Sequence, residues 1–301
     1  MVSAVLAFIR LGRPLFLGGG FLLYALGAVI AALHGHVLDG RRYALGQGAV
    51  TAFQWMTHYA NDYFDYDADR ANQTPTKWSG GSGVLRAGEL PREVALIAAI
   101  VLALIGGALT VGIGVEAGSA AVVTLVAMFV LAWAYSAPPL RLCARGIGEL
   151  DTAIVVTGLV PWLAFYLQAP DLRGLEVLGI AIVPLAMLQF AMLLAIELPD
   201  AAGDAATGKR TLIVRLGAAR GAQVFVLFTT LAYAWLPVAS MLGLPTRVVL
   251  AATAPVPIAA WRISRISDHK DPDAFEQLTF FAVFVLVATA LAEVVAFVTL
   301  L

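Results

Sequence analysis

The chain has 301 residues, 60% hydrophobic and only 13% charged, with a mean hydropathy of +0.86, and so little charge excludes an ordinary soluble domain. A formal net charge of −1 offers no basic surface, which excludes nucleic acid as a partner. The single cysteine, Cys143, excludes an intramolecular disulfide and a multi-cysteine metal site.

Apolar runs taken in chain order place nine transmembrane helices, near 14–33, 44–60, 94–113, 118–135, 151–168, 175–197, 221–242, 247–263 and 277–300. The first is too long for a signal-peptide core and many similar runs follow it, so it is a retained span. With the N-terminus in the cytoplasm, 15 of the 19 Lys and Arg fall on the inner side and only Arg41, Arg42, Arg173 and Arg247 on the outer. The positive-inside rule therefore predicts N-in, C-out and an odd number of spans. The long loops 61–93, 136–150, 198–220 and 264–276 also fall inside, so function is expected on the cytoplasmic face. The predicted class is an all-α integral membrane protein, a single domain of two pseudo-repeats (about 1–150 and 151–301).

The second apolar run ends in 61-NDYFDYDADR-70, four aspartates and an asparagine within nine residues. On a helix, Asn61, Asp65 and Asp69 stand at i, i+4 and i+8, with Asp62 three before Asp65, so these four share a face and Asp67 points away. Stacked carboxylates repel one another unless a divalent cation gathers them. Hard oxygen donors suit Mg²⁺, which takes substrate phosphates as further ligands. The plain alternative is a solvated loop that ends a membrane helix. A calcium loop starting at Asp65 fails, because Arg70 and Thr76 stand where it needs Gly and Glu.

Some 135 residues later comes 197-ELPDAAGDAATGKRTLIVRLG-217, in which Glu197, Asp200 and Asp204 repeat the 0, +3, +7 spacing of Asp62, Asp65 and Asp69. Pro199 is expected to end or kink the sixth span and turn these carboxylates toward a cavity. Two facing clusters could hold two or three Mg²⁺ around a diphosphate, with Lys209 and Arg210 giving positive charge to its oxygens.

Three stretches together resemble the UbiA-type intramembrane prenyltransferases. These are 61-NDYFDYDAD-69 (pattern NDxxDxxxD), 200-DAAGD-204 followed by 208-GKRTL-212 (DxxxD), and 135-YSAPPLR-141 (YSxPPxR). The similarity covers nearly the whole chain. It implies nine transmembrane helices around a central cavity open to the cytoplasm and sideways to lipid. It also implies Mg²⁺-dependent transfer of a prenyl chain from a polyprenyl diphosphate to an acceptor, in a bacterial or archaeal cell membrane. Asn61, Asp62, Asp65 and Asp69 take the place of the first motif and Asp200 and Asp204 that of the second. Tyr135, Arg141 and Lys209 match positions near the diphosphate. Glu197 departs from the pattern, since relatives often carry Asn there. The segment 79-SGGSGVL-85 is similar to a loop of the dihydroxynaphthoate (menaquinone) branch, which implies an aromatic acceptor.

Metal bridging both clusters would offset charge on the leaving group, with Arg141, Lys209 and Lys77 completing the clamp. The allylic cation must be kept from water, and the aromatic faces of Tyr135, Trp133, Tyr59 and Phe53 are candidates to face it. The Gly- and Ser-rich segment 74–91 reads as a flexible connection or as a lid over the diphosphate. His58, one turn before the first motif, either lines the cavity, acts as a base or makes a polar contact between helices. Arg13 before Pro14 reads as an anchor at the inner surface. A rival of the same fold uses a lipid or tetrapyrrole acceptor or cyclises the prenyl chain itself. A divalent-cation transporter is a different class, and it would place its acidic ligands at mid-bilayer rather than at helix ends.

Overall fold

Long apolar runs in lipid can satisfy their own N–H and C=O groups only as helices. The computed structural model, which describes residues 2–301, is accordingly helical, with no strand among the described residues. A short α1 (Val2–Leu11) precedes α2 (Pro14–Leu33). Then follow α3 (Gly40–Phe64), α4 (Tyr66–Ala71), α5 (Arg92–Ala117) and α6 (Ser119–Ser136). Next, α7 (Gly148–Thr152) runs through a π-helical turn over Ala153–Leu159 into α8 (Val160–Gln168). After α9 (Leu175–Glu197) come two short helices, α10 (Ala201–Ala206) and α11 (Leu212–Leu216). The chain ends with α12 (Ala218–Met241), α13 (Thr246–Ala252), α14 (Val256–Ser264) and α15 (Phe275–Val298).

Seven helices among the described residues are long and apolar enough to cross a membrane: α2, α5, α6, the α7–α8 unit, α9, α12 and Pro272–Val298. The other two expected spans differ, each for a physical reason. Helix α3 has 25 residues, about 37 Å at the usual rise and long enough to span. Its apolar character is diluted by Gln47, Gln54, His58, Asn61 and Asp62. It packs along α5 and against α6, α2 and α8, and a helix facing protein on most sides need not be apolar all round. The expected eighth span is broken into α13 and α14 by the turn at 253–255, where Pro255 caps α14 and Pro257 follows within its first turn.

The π-helical turn has a local cause. Pro161 lacks an N–H and its ring would press on the carbonyl four residues earlier, so the register shifts just upstream of it. There α8 meets α2 closely: a Cβ on Gly27 would overlap the Pro161 carbonyl oxygen. The connections 65–91, 137–147 and 198–217 come together beyond the helix ends. Arg210 N–H donates to Ala144 O (3.0 Å), and Thr74 Oγ1 to Pro199 O (2.8 Å).

Candidate active site

Helix α3 carries Asn61 and Asp62 to its last turn and stops at Phe64, where Asp65 breaks the regular dihedrals (φ −95°, ψ 5°) before α4 begins. The bend keeps the ladder intact. Asp65 N–H donates to Asn61 O (2.8 Å) and Asp69 N–H to Asp65 O (2.9 Å), so the four residues stay on one face, and Asp67 is exposed. Asn61 Nδ2 donates to Asp65 Oδ2 (2.7 Å) and Ser136 Oγ (3.0 Å), which orients a carboxylate whose Oδ1 is buried without a partner.

On the other side α9 ends at Glu197, Pro199 sits in the turn, and Asp200 leads into α10 with Asp204 in its first turn. Lys209 joins the two clusters, its Nζ lying 3.0 Å from Asp65 Oδ2 and 3.1 Å from Asp204 Oδ1. Burial opposes its charge, but Asp65 foremost and Asp204 raise it well above the ordinary lysine range. Burial, with Asp204 alongside, pushes Asp200 up to about 6 even though the Gly80 N–H favours its ionised form. Burial likewise raises Asp69, against the pull of Arg13.

The Gly- and Ser-rich segment is an ordered strap rather than a free connection. Asn72 Nδ2 donates to Asp200 Oδ1 (2.6 Å) and Gly80 N–H to Asp200 Oδ2 (3.1 Å). Ser82 binds Asp62 through its N–H (3.1 Å) and its hydroxyl. Gly80, Gly81 and Gly83 take positive φ, and a side chain on Gly81 would collide with the Asp69 carboxylate. Composition suggested flexibility because the bonds that fix this strap are long-range in sequence.

These elements close one end of a cavity of about 280 Å³. Its polar end holds Asn61, Asp65, Asp69, Asp200, Asp204 and Lys209, and the remainder is mostly apolar, with Leu23, Val50, Phe53, Met128, Val160, Met192 and Leu286 among its walls. Tyr135, His58 and Glu197 also line it. Leu15 of α2 and Val287 of α15 belong to the lining and are 65% and 39% exposed.

Three expected clamp residues do not line this cavity. Lys77 is exposed, and its backbone N–H donates to Glu276 (2.9 Å). Arg210 is exposed, with its backbone bonded to Ala144 and Arg215. Arg141 takes a positive φ of 45° and is not part of the cavity wall. Asp62 is buried beneath the strap, with both oxygens engaged. Of the aromatic candidates, Phe53 and Tyr135 face the cavity. Tyr59 instead donates to Phe8 O (3.1 Å), and Trp133 stacks with Phe129.

Sequence reasoning missed Arg13 as a site residue. Its Nη2 donates to Asp62 Oδ1 at 2.6 Å and it lines the cavity, held in the left-handed region (φ 47°) before Pro14. No sequence pattern announces that dihedral. It also missed Asp151 and Glu149, buried at the start of the fifth span. The signal there was 148-GELDT-152, two carboxylates opening an apolar run. No group of three or more His, Cys, Asp or Glu is gathered at metal-binding distance among the described residues. Lys209 instead bridges Asp65 and Asp204, and Arg13 pairs with Asp62.

Residues 15–297 match the UbiA prenyltransferase family. The chain belongs to this family. It is therefore a prenyltransferase and an integral membrane protein. Among similar UbiA relatives is a digeranylgeranylglyceryl phosphate synthase of Thermococcus gammatolerans, 26% identical over 95% of this chain and 98% of the relative. Another is a 1,4-dihydroxy-2-naphthoate octaprenyltransferase of Bacillus subtilis, 25% identical over 75% of this chain and 71% of the relative. Among solved structures, a UbiA homolog from Archaeoglobus fulgidus bound to GPP and Mg²⁺ superposes with a TM-score of 0.64 at 16% identity, over 95% of this chain and 99% of that one. At that identity the likeness concerns the fold.

Proposed function

We propose that the enzyme transfers a prenyl chain from a polyprenyl diphosphate to an aromatic acceptor in quinone synthesis, with Mg²⁺ as its cofactor. The observation that carries this reading is the charge of the cavity. Six carboxylates (Asp65, Asp69, Asp151, Glu197, Asp200 and Asp204) line it with only two cations, Arg13 and Lys209, and the rest of the wall is largely apolar. Such a site suits a ligand with an anionic, metal-carrying head and a hydrocarbon tail. The donor set fits Mg²⁺, being hard oxygens, one of which (Asp65 Oδ1) is buried and lacks a partner. The resemblance of 79–85 to the menaquinone branch and the relative in Bacillus subtilis favour a naphthalene-type acceptor.

In this reading Asn61, Asp65 and Asp69 would hold the metal from one side and Asp200 and Asp204 from the other, and Asp62 would join them only by giving up Arg13 and Ser82. When bound, Mg²⁺ neutralises charge that grows on the departing diphosphate. Lys209, already placed between the clusters, donates to diphosphate oxygens, and Arg13 adds a second positive charge at the same mouth. The strap shuts the acidic end from bulk water, and the rings of Tyr135 and Phe53 face the cavity where an allylic cation would form. The tail lies along the apolar wall or passes between α2 and α15 into lipid, where each buried CH₂ contributes about 0.8 kcal/mol.

The test is mass spectrometry of products from purified protein given Mg²⁺, geranylgeranyl diphosphate and a panel of aromatic acceptors, including none. Prenylated acceptor supports the reading, and only cyclised hydrocarbon would replace it with a terpene cyclase.

The same reading retains nine spans, with α3 and the α13–α14 pair crossing alongside the seven apolar helices, N-terminus cytoplasmic. It retains one domain of two pseudo-repeats, about 1–150 and 151–301, each supplying one acidic cluster. Tags at the N-terminus and within 205–210 are expected to be cytoplasmic and a C-terminal tag external. Both termini reported on one side would contradict nine spans.

A pH dependence follows from Asp200. With its carboxyl pushed up to about 6, a proton competes with the metal below that value. The apparent Mg²⁺ affinity is expected to hold above pH 7 and to fall by up to about tenfold per unit as pH drops below 6. Mg²⁺-titrated thermal shift from pH 5 to 8 measures this, and a flat profile would contradict it.

A further inference from the structure

Two connections at the helix ends that carry the acidic clusters hold positive charge that the cavity does not use. The segments 137-APPLRLCARGI-147 and 205-AATGKRTLIVRLGAAR-220 contain six basic residues and no acidic one, and of the six only Lys209 lines the cavity. The fold brings the two segments into contact. Arg210 N–H donates to Ala144 O (3.0 Å), and the Arg215 side chain crosses Gly146, where a Cβ would stand 2.9 Å from Arg215 Cδ and Nε. Backbone carbonyls pin two of the guanidinium groups: Arg215 Nε donates to Arg210 O (2.9 Å) and Arg145 Nη2 to Pro139 O (2.8 Å). Arg145, Arg210, Arg215 and Arg220 are all exposed. Among the described residues none of the four is ion-paired, whereas Arg10, Arg41, Arg173 and Arg262 each hold a carboxylate. Cations gathered and pinned without a counter-ion repel one another until an anion joins them.

The guanidinium fork matches a phosphate group, and the surroundings decide which kind of phosphate. Helix α6 stops at Ser136, α7 opens at Gly148 and α12 opens at Ala218, so the arginines stand where three spans leave the apolar layer. Leu140, Ile147 and Leu150, on the first connection and the helix that follows it, are 44%, 44% and 53% exposed. Exposed aliphatic side chains next to arginines at helix ends suit acyl chains beneath a charged headgroup, and a soluble anion has no use for them.

We propose that this rim is a binding surface for anionic phospholipid, with the headgroup phosphate taken by Arg145, Arg210 and Arg215 and the acyl chains lying against Leu140, Ile147 and Leu150. The surface is separate from the cavity and does not depend on the prenyl-transfer reading. A headgroup held there ties segment 137–147 to segment 205–220, which presents Lys209 to the acidic clusters.

The experiment adds dioleoyl phosphatidylglycerol, dioleoyl phosphatidylcholine or inorganic phosphate to the full-length protein in detergent. Lipid retention is counted by native mass spectrometry and the thermal midpoint is followed in parallel. Phosphatidylglycerol is expected to be retained and to raise the midpoint, phosphatidylcholine to do neither, and the difference to shrink as salt is raised from 0.05 to about 0.5 M. Arg145→Gln and Arg215→Gln are each expected to weaken retention of phosphatidylglycerol about fivefold, the equivalent of about 1 kcal/mol per arginine at a membrane surface. Their lipid-free midpoints should match the unaltered protein. Arg173→Gln, whose arginine pairs with Asp171 in another connection, is expected to leave retention unchanged. Equal retention of the two lipids overturns the proposal, as does unchanged retention in both Arg145→Gln and Arg215→Gln. A midpoint rise with inorganic phosphate equal to that with phosphatidylglycerol would make this a site for a soluble anion and overturns the lipid assignment.

Discussion

Asp65→Asn and Asp200→Asn are each expected to slow turnover about a thousandfold, the equivalent of about 4 kcal/mol of lost transition-state stabilisation. Asn keeps the size of the side chain and removes the charge that holds metal and leaving group. The folded protein should survive both changes, because buried carboxylates at close quarters repel one another and each substitution relieves that repulsion. Asp65 is the more exacting case, since its carboxylate also receives Lys209 at 3.0 Å, and a neutral amide weakens that bridge. Asp67 is the internal control. It lies in the same acidic stretch yet is exposed, and Asp67→Asn should keep most activity. Turnover and detergent thermal stability measured across a Mg²⁺ titration separate the cases. Equal activity in Asp65→Asn and Asp67→Asn, or losses that track unfolding, would make the cluster a solvated end to a membrane helix.

Gly27→Ala is expected to be the most damaging small substitution in the bundle, costing about 3 kcal/mol or more. The methyl group would be driven into the Pro161 carbonyl, with the Phe165 nitrogen 3.0 Å from the new carbon. Neither backbone atom can step aside without separating α2 from α8, and small residues at such crossings are what permit membrane helices to approach. Gly18→Ala, one face away on the same helix, has open space around the new carbon and should gain about 0.5–1 kcal/mol from helix propensity. Opposite shifts in thermal midpoint for the two alanines are the expected result. A tolerated Gly27→Ala would mean that the helices are not in contact there.

Much of the site could be read from residues because carboxylates are costly in an apolar chain and so stand out. Asn61, Asp65, Asp69, Asp200 and Asp204 all reach one cavity, and Pro199 ends α9 where its missing N–H requires. What escaped notice depended on geometry that spacing does not encode. Arg13 enters the site through a left-handed dihedral, and the strap is fixed by bonds such as Asn72 to Asp200 that span 128 positions. Lys77, Arg141 and Arg210 have the right chemistry in the right loops, but loop direction is set by partners such as Glu276 and Ala144. The span expected at 44–60 lies within α3, whose polarity keeps it out of the helices apolar enough to cross a membrane, because hydropathy reports contact with lipid rather than depth within a bundle.

The position of Lys209 bears on how such a protein is made. An insertion pathway must deliver two acidic helix ends to the same point before any substrate arrives, and like charges would drive them apart. With its ammonium group lying between Asp65 and Asp204, the chain supplies from its own sequence the positive charge that lets these two ends meet. If the proposed Mg²⁺ is the cofactor, assembly of the bundle would be uncoupled from its supply, and metal loading would be an exchange of partners within a finished site.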